Sequence, residues 1–213
     1  RIAVTFTNGF NLTIDHPVPV QFTTSVKENT AAGFSILNGT TLLKLGGLLP
    51  ALSVNYSATI LSTTREHLID IDSEKKSLVT THNKIDYEDT QNIHISMEIS
   101  IPLANISALF SINVSVLDVN DNRPKFTRSA YVAYIKSSLR LSVHAIDADS
   151  GDNGRLEYFI FPEDYFRIHP VSGRITSTTQ LAPRTKYTAY VYARDYGLQR
   201  LTSDAVPVVV FTT

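Results

Sequence analysis

Short runs of Val, Ile, Thr, Tyr and Phe recur about every ten residues along this chain, each cut off by Asn, Gly, Asp, Ser or Pro. Such residues suit a pleated, half-buried surface, and the punctuation between them supplies turns. No segment sustains a 3.6-residue apolar period over three turns, so the chain reads as all-β. The clearest runs alternate. Leu139, Leu141 and Val143 interleave with Arg140, Ser142 and His144, which allows one face of Leu139–His144 to be buried and the other wetted. Tyr187–Ala193 alternates in the same way, and Phe110, Ile112, Val114 and Val116 share one face of Phe110–Leu117. Gly33–Leu52 is the exception, compatible with a short helix or a wide loop.

A weak internal repeat sets the domain count. Tyr56-Ser-Ala-Thr-Ile, His67-Leu-Ile-Asp-Ile-Asp-Ser and Ser77-Leu-Val-Thr-Thr resemble Tyr158-Phe-Ile-Phe, Tyr165-Phe-Arg-Ile-His-Pro-Val-Ser-Gly and Arg174-Ile-Thr-Ser-Thr-Thr in turn, at an offset near 100 residues. That period favours two tandem Greek-key β-sandwiches, immunoglobulin-like in architecture, over one large sheet. The expected division is a lead-in over 1–18, a first repeat over 19–119, a linker over 120–124 and a second repeat over 125–213. The linker lies within Leu117-Asp-Val-Asn-Asp-Asn-Arg-Pro-Lys-Phe126, a polar stretch closed by proline.

Nineteen basic against 20 acidic residues leave no basic field for nucleic acid. Apolar stretches such as Val206–Phe211 fall far short of the roughly 20 residues of a membrane helix, so membrane attachment is expected only through a segment outside this chain. No signal peptide opens the sequence, which leaves a mature fragment, a recombinant piece or an intracellular chain. The absence of cysteine excludes a disulfide scaffold, a zinc–thiolate site and a thiol nucleophile. Histidines 16, 67, 82, 94, 144 and 169 do not cluster, and no nucleophile-elbow or phosphate-cradling glycine pattern is present. The expectation is a protein that is not an enzyme.

The chemistry-bearing residues are oxygen donors. Asp118, Asn120, Asp121 and Asn122 fall within five residues at the boundary. Asp147 and Asp149 stand in Asp-Ala-Asp-Ser-Gly-Asp-Asn-Gly, Asp195 in Ala-Arg-Asp-Tyr-Gly, Glu28 in Val-Lys-Glu-Asn, and Asp86 and Glu88 in Ile-Asp-Tyr-Glu. Carboxylates two apart on extended backbone point the same way, so Asp86/Glu88 and Asp147/Asp149 make two-pronged clamps. Gathering such charges requires a cation, and a donor set without His or Cys points to a hard ion such as calcium. An EF-hand does not fit Asp147–Gly154, where Asp152 and Tyr158 stand in place of the required glycine and glutamate.

These motifs resemble those of the cadherin family. Leu-Asp-Val-Asn-Asp-Asn-Arg-Pro at 117–124 is similar to its inter-repeat linker, and Val-Lys-Glu-Asn at 26–29 to its early glutamate motif. Ile-Asp-Tyr-Glu at 85–88, Asp-Ala-Asp-Ser-Gly-Asp-Asn-Gly at 147–154 and Ala-Arg-Asp-Tyr-Gly at 193–197 match three further motifs in the family's order. The resemblance implies a cage for about three Ca2+ ions. Glu28, Asp86, Glu88 and Asp121 would hold the first. Glu28, Glu88, Asp118, Asp121 and Asp149, with the Val119 carbonyl, would hold the second. Asn120, Asp147, Asp149 and Asp195, with the carbonyls of Asn122 and Asn153, would hold the third. Eight carboxylates facing six positive charges suit an extracellular site of roughly 10⁻⁴–10⁻³ M affinity.

The resemblance further implies an extracellular ectodomain piece of a plasma-membrane protein, serving calcium-dependent cell–cell adhesion through homophilic or heterophilic contacts with other ectodomains. The alternatives are a calcium-stiffened spacer without an adhesive face and, in another class, a calcium-dependent carbohydrate-binding module or enzyme. Two departures are expected to matter. Leu181-Ala-Pro-Arg184 and Tyr134-Ile-Lys-Ser-Ser replace the acidic motifs of the second repeat, and Leu42–Val54 and Ile99-Ser-Ile-Pro-Leu replace two in the first, so neither outer end can build the usual cage. The absence of tryptophan excludes the Trp-anchored strand swap of some cadherins for this chain. Five Asn-x-Ser/Thr sequons, at Asn11, Asn38, Asn55, Asn105 and Asn113, all precede the boundary and point to a secreted glycoprotein whose second repeat is glycan-free.

Overall fold

A computed structural model describes residues 2–5, 11–14, 19–38, 40–41, 56–102, 106–136 and 138–213. The chain divides into two compact units, residues 1–118 and 119–213. Each is built on the same plan.

In the first unit, β3 (Val20–Lys27), β9 (Ile106–Leu117), β8 (Asn92–Ile101) and β5 (Ser57–Thr63) form a four-stranded sheet in that order. A second sheet orders β4 (Ser35–Asn38), β7 (Ser77–Thr80) and β6 (Ile69–Asp72). A hairpin pairs β1 (Ile2–Thr5) with β2 (Asn11–Ile14). Strict alternation explains the long strands. Along β8, Ile93, Ile95, Met97, Ile99 and Ile101 are buried, while His94 and Ser96 face outward. Phe110, Ile112, Val114 and Val116 of β9 join them, and Leu37, Ile69 and Leu78 close the same core from the three-stranded sheet. One core shared by two sheets defines a sandwich. All pairings are antiparallel except β3 with β9, which run parallel from Val20↔Phe110 to Lys27↔Leu117.

The second unit repeats this order. β11 (Tyr131–Ile135), β18 (Val206–Thr212), β17 (Lys186–Asp195) and β14 (Leu156–Phe161) form the four-stranded sheet, again with one parallel pair, β11 with β18. β12 (Leu141–Ser142), β16 (Arg174–Ser177) and β15 (Phe166–Ile168) form the three-stranded sheet. β10 (Lys125–Phe126) pairs with β13 (Ala145–Ile146), and one helical turn, α1 (Gly151–Gly154), precedes β14. Tyr131, Tyr158, Phe166, Ile175, Val191 and Val208 are among its core residues. The three repeated segments read from the sequence fall at β5/β14, β6/β15 and β7/β16. The all-β sandwich reading therefore holds.

Two local expectations were modified. Leu139, Val143 and the exposed Arg140, Ser142 and His144 face as the alternation predicts, but only Leu141–Ser142 is ladder-paired as a strand. Past that point the backbone changes partners: the Val143 N–H donates to the Gly173 carbonyl at 3.0 Å, the His144 carbonyl accepts from the Thr127 N–H at 2.9 Å, and the His144 N–H donates to the Tyr131 hydroxyl at 3.2 Å. In the ambiguous stretch, Ser35–Asn38 is strand, and residues 39 and 42–55 lie outside the described residues.

The outer face of the second unit's four-stranded sheet is unusually apolar. Tyr134 is 73% exposed and Phe161 is 67% exposed, and Val132, Phe159 and Tyr190 are exposed beside them. Tyr134 stacks on Phe211 at 5.1 Å, and Phe161 lies opposite Tyr190 in the ladder.

Candidate metal centre

In the first unit, three chain segments carry the predicted acids to one end of the sandwich. The parallel ladder of β3 and β9 continues one residue further through the Glu28 N–H, which donates to the Leu117 carbonyl at 3.0 Å. This fixes Glu28 beside Asp118, the residue after β9. Asn29 N–H donates to the Ile85 carbonyl at 3.0 Å, and the Tyr87 N–H donates to Glu28 Oε2 at 2.9 Å. Ile85 is wholly buried, so it pins the Asp86–Glu88 turn to the core, and Thr90 N–H closes that turn on the Asp86 carbonyl at 2.8 Å.

Glu28, Glu88 and Asp118 consequently each offer an oxygen within 4.8 Å of the others. Glu28 is only 2% exposed. Unit charges at that separation repel by about 0.9 kcal/mol at the permittivity of water and about 3.5 kcal/mol near a protein surface. Glu88 registers the crowding. It remains exposed on average, yet partial burial of its carboxyl, then the adjoining Asp86, then the charge of Glu28 push it up to about 7. Asp86 Oδ1 is buried and meets no donor; its other oxygen lies 3.9 Å from Lys84 Nζ.

In the second unit, the linker residues fold back on the Asp147–Asp149 loop. The Asn122 amide nitrogen donates to Asp149 Oδ1 at 2.7 Å and to Asp121 Oδ1 at 2.8 Å, and Asn122 N–H donates to Asp149 Oδ2 at 3.2 Å. Asp149 N–H in turn donates to Asp147 Oδ1 at 3.1 Å, which orients both prongs of that clamp. Asp195, at the end of β17, has no exposed surface and accepts from Gly197 N–H at 2.9 Å and Leu201 N–H at 2.8 Å. Asn120 Nδ2 donates to the Gln199 carbonyl at 2.9 Å, which leaves its Oδ1 buried with no donor. Asp147 Oδ2 is in the same state. Burial, with Asp149 and Asp195 nearby, holds the Asp147 carboxyl above its ordinary range.

The site also depends on residues to which sequence reasoning gave no role. A Cβ on Gly154 would lie 2.0 Å from the Asp149 carbonyl oxygen, and one on Gly197 would lie 2.2 Å from Asn120 Nδ2. Both glycines let backbone approach the acidic loops. Their presence inside the quoted motifs was the only signal. Val119 and Asn122 lie in irregular backbone and Asn153 within α1, so their carbonyls are not consumed by a strand ladder.

The donor chemistry fits a hard cation. Every side chain gathered in either unit offers oxygen, and buried oxygens on Asp86, Asn120 and Asp147 lack a donor. These acidic groups could hold a metal ion.

Comparison with known proteins shows the family. Residues 135–211 match the cadherin domain. The chain belongs to the cadherin family. It is 34% identical over 173 residues to the fat-like cadherin-related tumor suppressor homolog of Drosophila melanogaster, covering 76% of this chain and 4% of that protein. Human protocadherin-1 is 34% identical over 151 residues, covering 65% of this chain and 14% of the relative. The crystal structure of mouse cadherin-23 EC22–24 matches with a TM-score of 0.75 at 22% identity, over 91% of this chain and 64% of that one, a likeness of fold. This cadherin sequence thus spans a small part of the curated relatives it matches.

Of the sequon asparagines, Asn38 is exposed at the end of β4. Asn113 lies on the outer face of β9, as its parity predicts, but half-buried between Thr23 and His94 on the flanking strands. Asn11 falls in β2, and Asn55 and Asn105 lie outside the described residues. Among the described residues no helix is long and apolar enough to cross a membrane.

Proposed function

We propose that this chain is a calcium-dependent adhesion or recognition piece of an extracellular ectodomain, stiffened by about three Ca2+ ions shared between its repeats. The repeats are residues 19–119 and 125–213, with 120–124 as the calcium-binding linker. The observation that carries the reading is the burial of Glu28, Asp149 and Asp195 beside further oxygens that no protein donor satisfies.

The residues that would hold the ions are Glu28, Asp86, Glu88 and Asp118 from the first repeat, Asp121 with the Val119 and Asn122 carbonyls and Asn120 from the linker, and Asp147, Asp149, Asp195 and the Asn153 carbonyl from the second. When bound, calcium supplies positive charge that turns mutual repulsion into cross-linking. The protein's own part is positional: ladder bonds and the Tyr87 and Asn122 contacts hold the carboxylates in place beforehand. A stiffened pair of repeats can present a contact face or bear load. The partners are other protein ectodomains, and the aromatic outer face of the second repeat, which carries no sequon, is the contact surface this reading favours.

Small-angle X-ray scattering with calcium and with chelator tests the reading. The chelated protein should show a broader distribution of dimensions, and Asp121→Ala should resemble it at calcium levels that saturate the wild type. Identical profiles with and without calcium would refute the proposed stiffening.

A further inference from the structure

The outer face of the second unit's three-stranded sheet bears a basic groove that the calcium chemistry leaves unexplained. Phe166 and Ile175 point into the core from β15 and β16, which turns Arg167, Arg174 and Thr176 outward. Arg167 stands opposite Thr176, and Arg174 opposite Ser142 of β12. The two arginines are therefore diagonal neighbours, roughly 7 Å apart at the backbone. With Ile168, His169 and Pro170 they line one shallow groove open to solvent. Arg140 is exposed just before β12 on the same sheet.

Every polar side chain lining this groove can donate, and none is a carboxylate. His169 Nδ1 accepts from the Val171 and Ser172 N–H groups, each at 3.3 Å, which assigns the ring proton to Nε2. Arg140, Arg167 and Arg174 make no ion pair among the described residues, whereas Arg194 and Arg200 of the same unit are both ion-paired with Glu157. The local imbalance reflects a wider one. Residues 119–213 hold twelve Lys and Arg against nine Asp and Glu, and four of those acids belong to the proposed calcium set.

We propose that this groove binds a sulfated polysaccharide. Guanidinium forks match tetrahedral oxyanions in a bidentate manner, which suits sulfate groups repeated along a linear polymer. The groove has no aromatic anchor of the kind that dominates protein–protein contacts, which argues against a protein occupant. No sequon falls in this repeat, so no N-linked glycan would shield the sheet. The binding is independent of the calcium ligands, none of which lies on β12, β15 or β16.

The test is binding of the whole chain to immobilised heparin in calcium-containing buffer, with salt varied. Wild type should bind at low salt and weaken steadily as salt rises, as polyanion contacts do. The Arg167→Ala/Arg174→Ala variant should bind about tenfold more weakly, within the ceiling of about 25-fold set by two exposed ion pairs of up to about fivefold each. Lys186→Ala, on the opposite sheet, should change binding less than about twofold. Circular dichroism checks that each variant is folded. No binding to heparin at low salt, unchanged binding by the double variant, or equal affinity for desulfated heparin or phosphatidylserine vesicles would each overturn the proposal.

Discussion

Replacing Glu28 by Gln should change the sign of its effect on stability when calcium is added. The substitution keeps shape and an acceptor for the Tyr87 N–H, but removes one charge from a trio whose oxygens lie within 4.8 Å. Each lost repulsion is about 0.9 kcal/mol at the permittivity of water and about 3.5 near a protein surface. Partial protonation of Glu88, pushed up to about 7, reduces its share at neutral pH. A net gain of about 1 kcal/mol in chelator is a conservative estimate, which for a domain of this size raises Tm by about 4–8 °C. With calcium the order should invert, because the proposed cage shares Glu28 between two ions and the variant should bind them more weakly. Thermal unfolding followed by circular dichroism, in chelator and in millimolar calcium, gives both numbers. A variant less stable than wild type in both buffers, by the same amount, would refute the electrostatic reasoning and leave Glu28 a purely structural residue.

Three further outcomes are expected. Gly154→Ala should weaken calcium binding without unfolding the second unit, since its Cβ would meet the Asp149 carbonyl at 2.0 Å and force the acidic loop to move; calorimetric titration checks this. In chelator, stability should fall as pH rises from about 4.5 to about 7, because folded Glu88 holds its proton in a range where the unfolded carboxyl has lost it; melting at pH 5 and pH 8 measures the sign. The double variant Tyr134→Ser/Phe161→Ser should abolish cell aggregation by the ectodomain while shifting stability by less than about 1 kcal/mol, given how exposed both rings are.

The architecture was legible because alternation was strict where it mattered. Ile93 to Ile101 and Phe110 to Val116 alternate without a break, and each became a core strand of the first unit. The acids were legible because their spacing along the chain is short and their types are uniform. Less could be read where one element borrows from another. Nothing in Leu139–His144 reveals that its backbone bonds pass from Gly173 to Thr127 and the Tyr131 hydroxyl within two residues. Leu156–Phe161 has apolar residues on both faces, so it predicts a strand but not which face is buried; the structure turns Tyr158 and Ile160 inward and leaves Phe159 and Phe161 in solvent. The basic groove was equally hidden, since Arg167 and Arg174 become neighbours only through the β15–β16 register.

The central claim is that the clustered carboxylates exist to hold calcium. Isothermal titration of calcium into chelator-stripped wild-type protein addresses it most directly. The account predicts saturable binding of about three ions per chain at roughly 10⁻⁴–10⁻³ M. Absence of saturable binding up to ten times that concentration would contradict it.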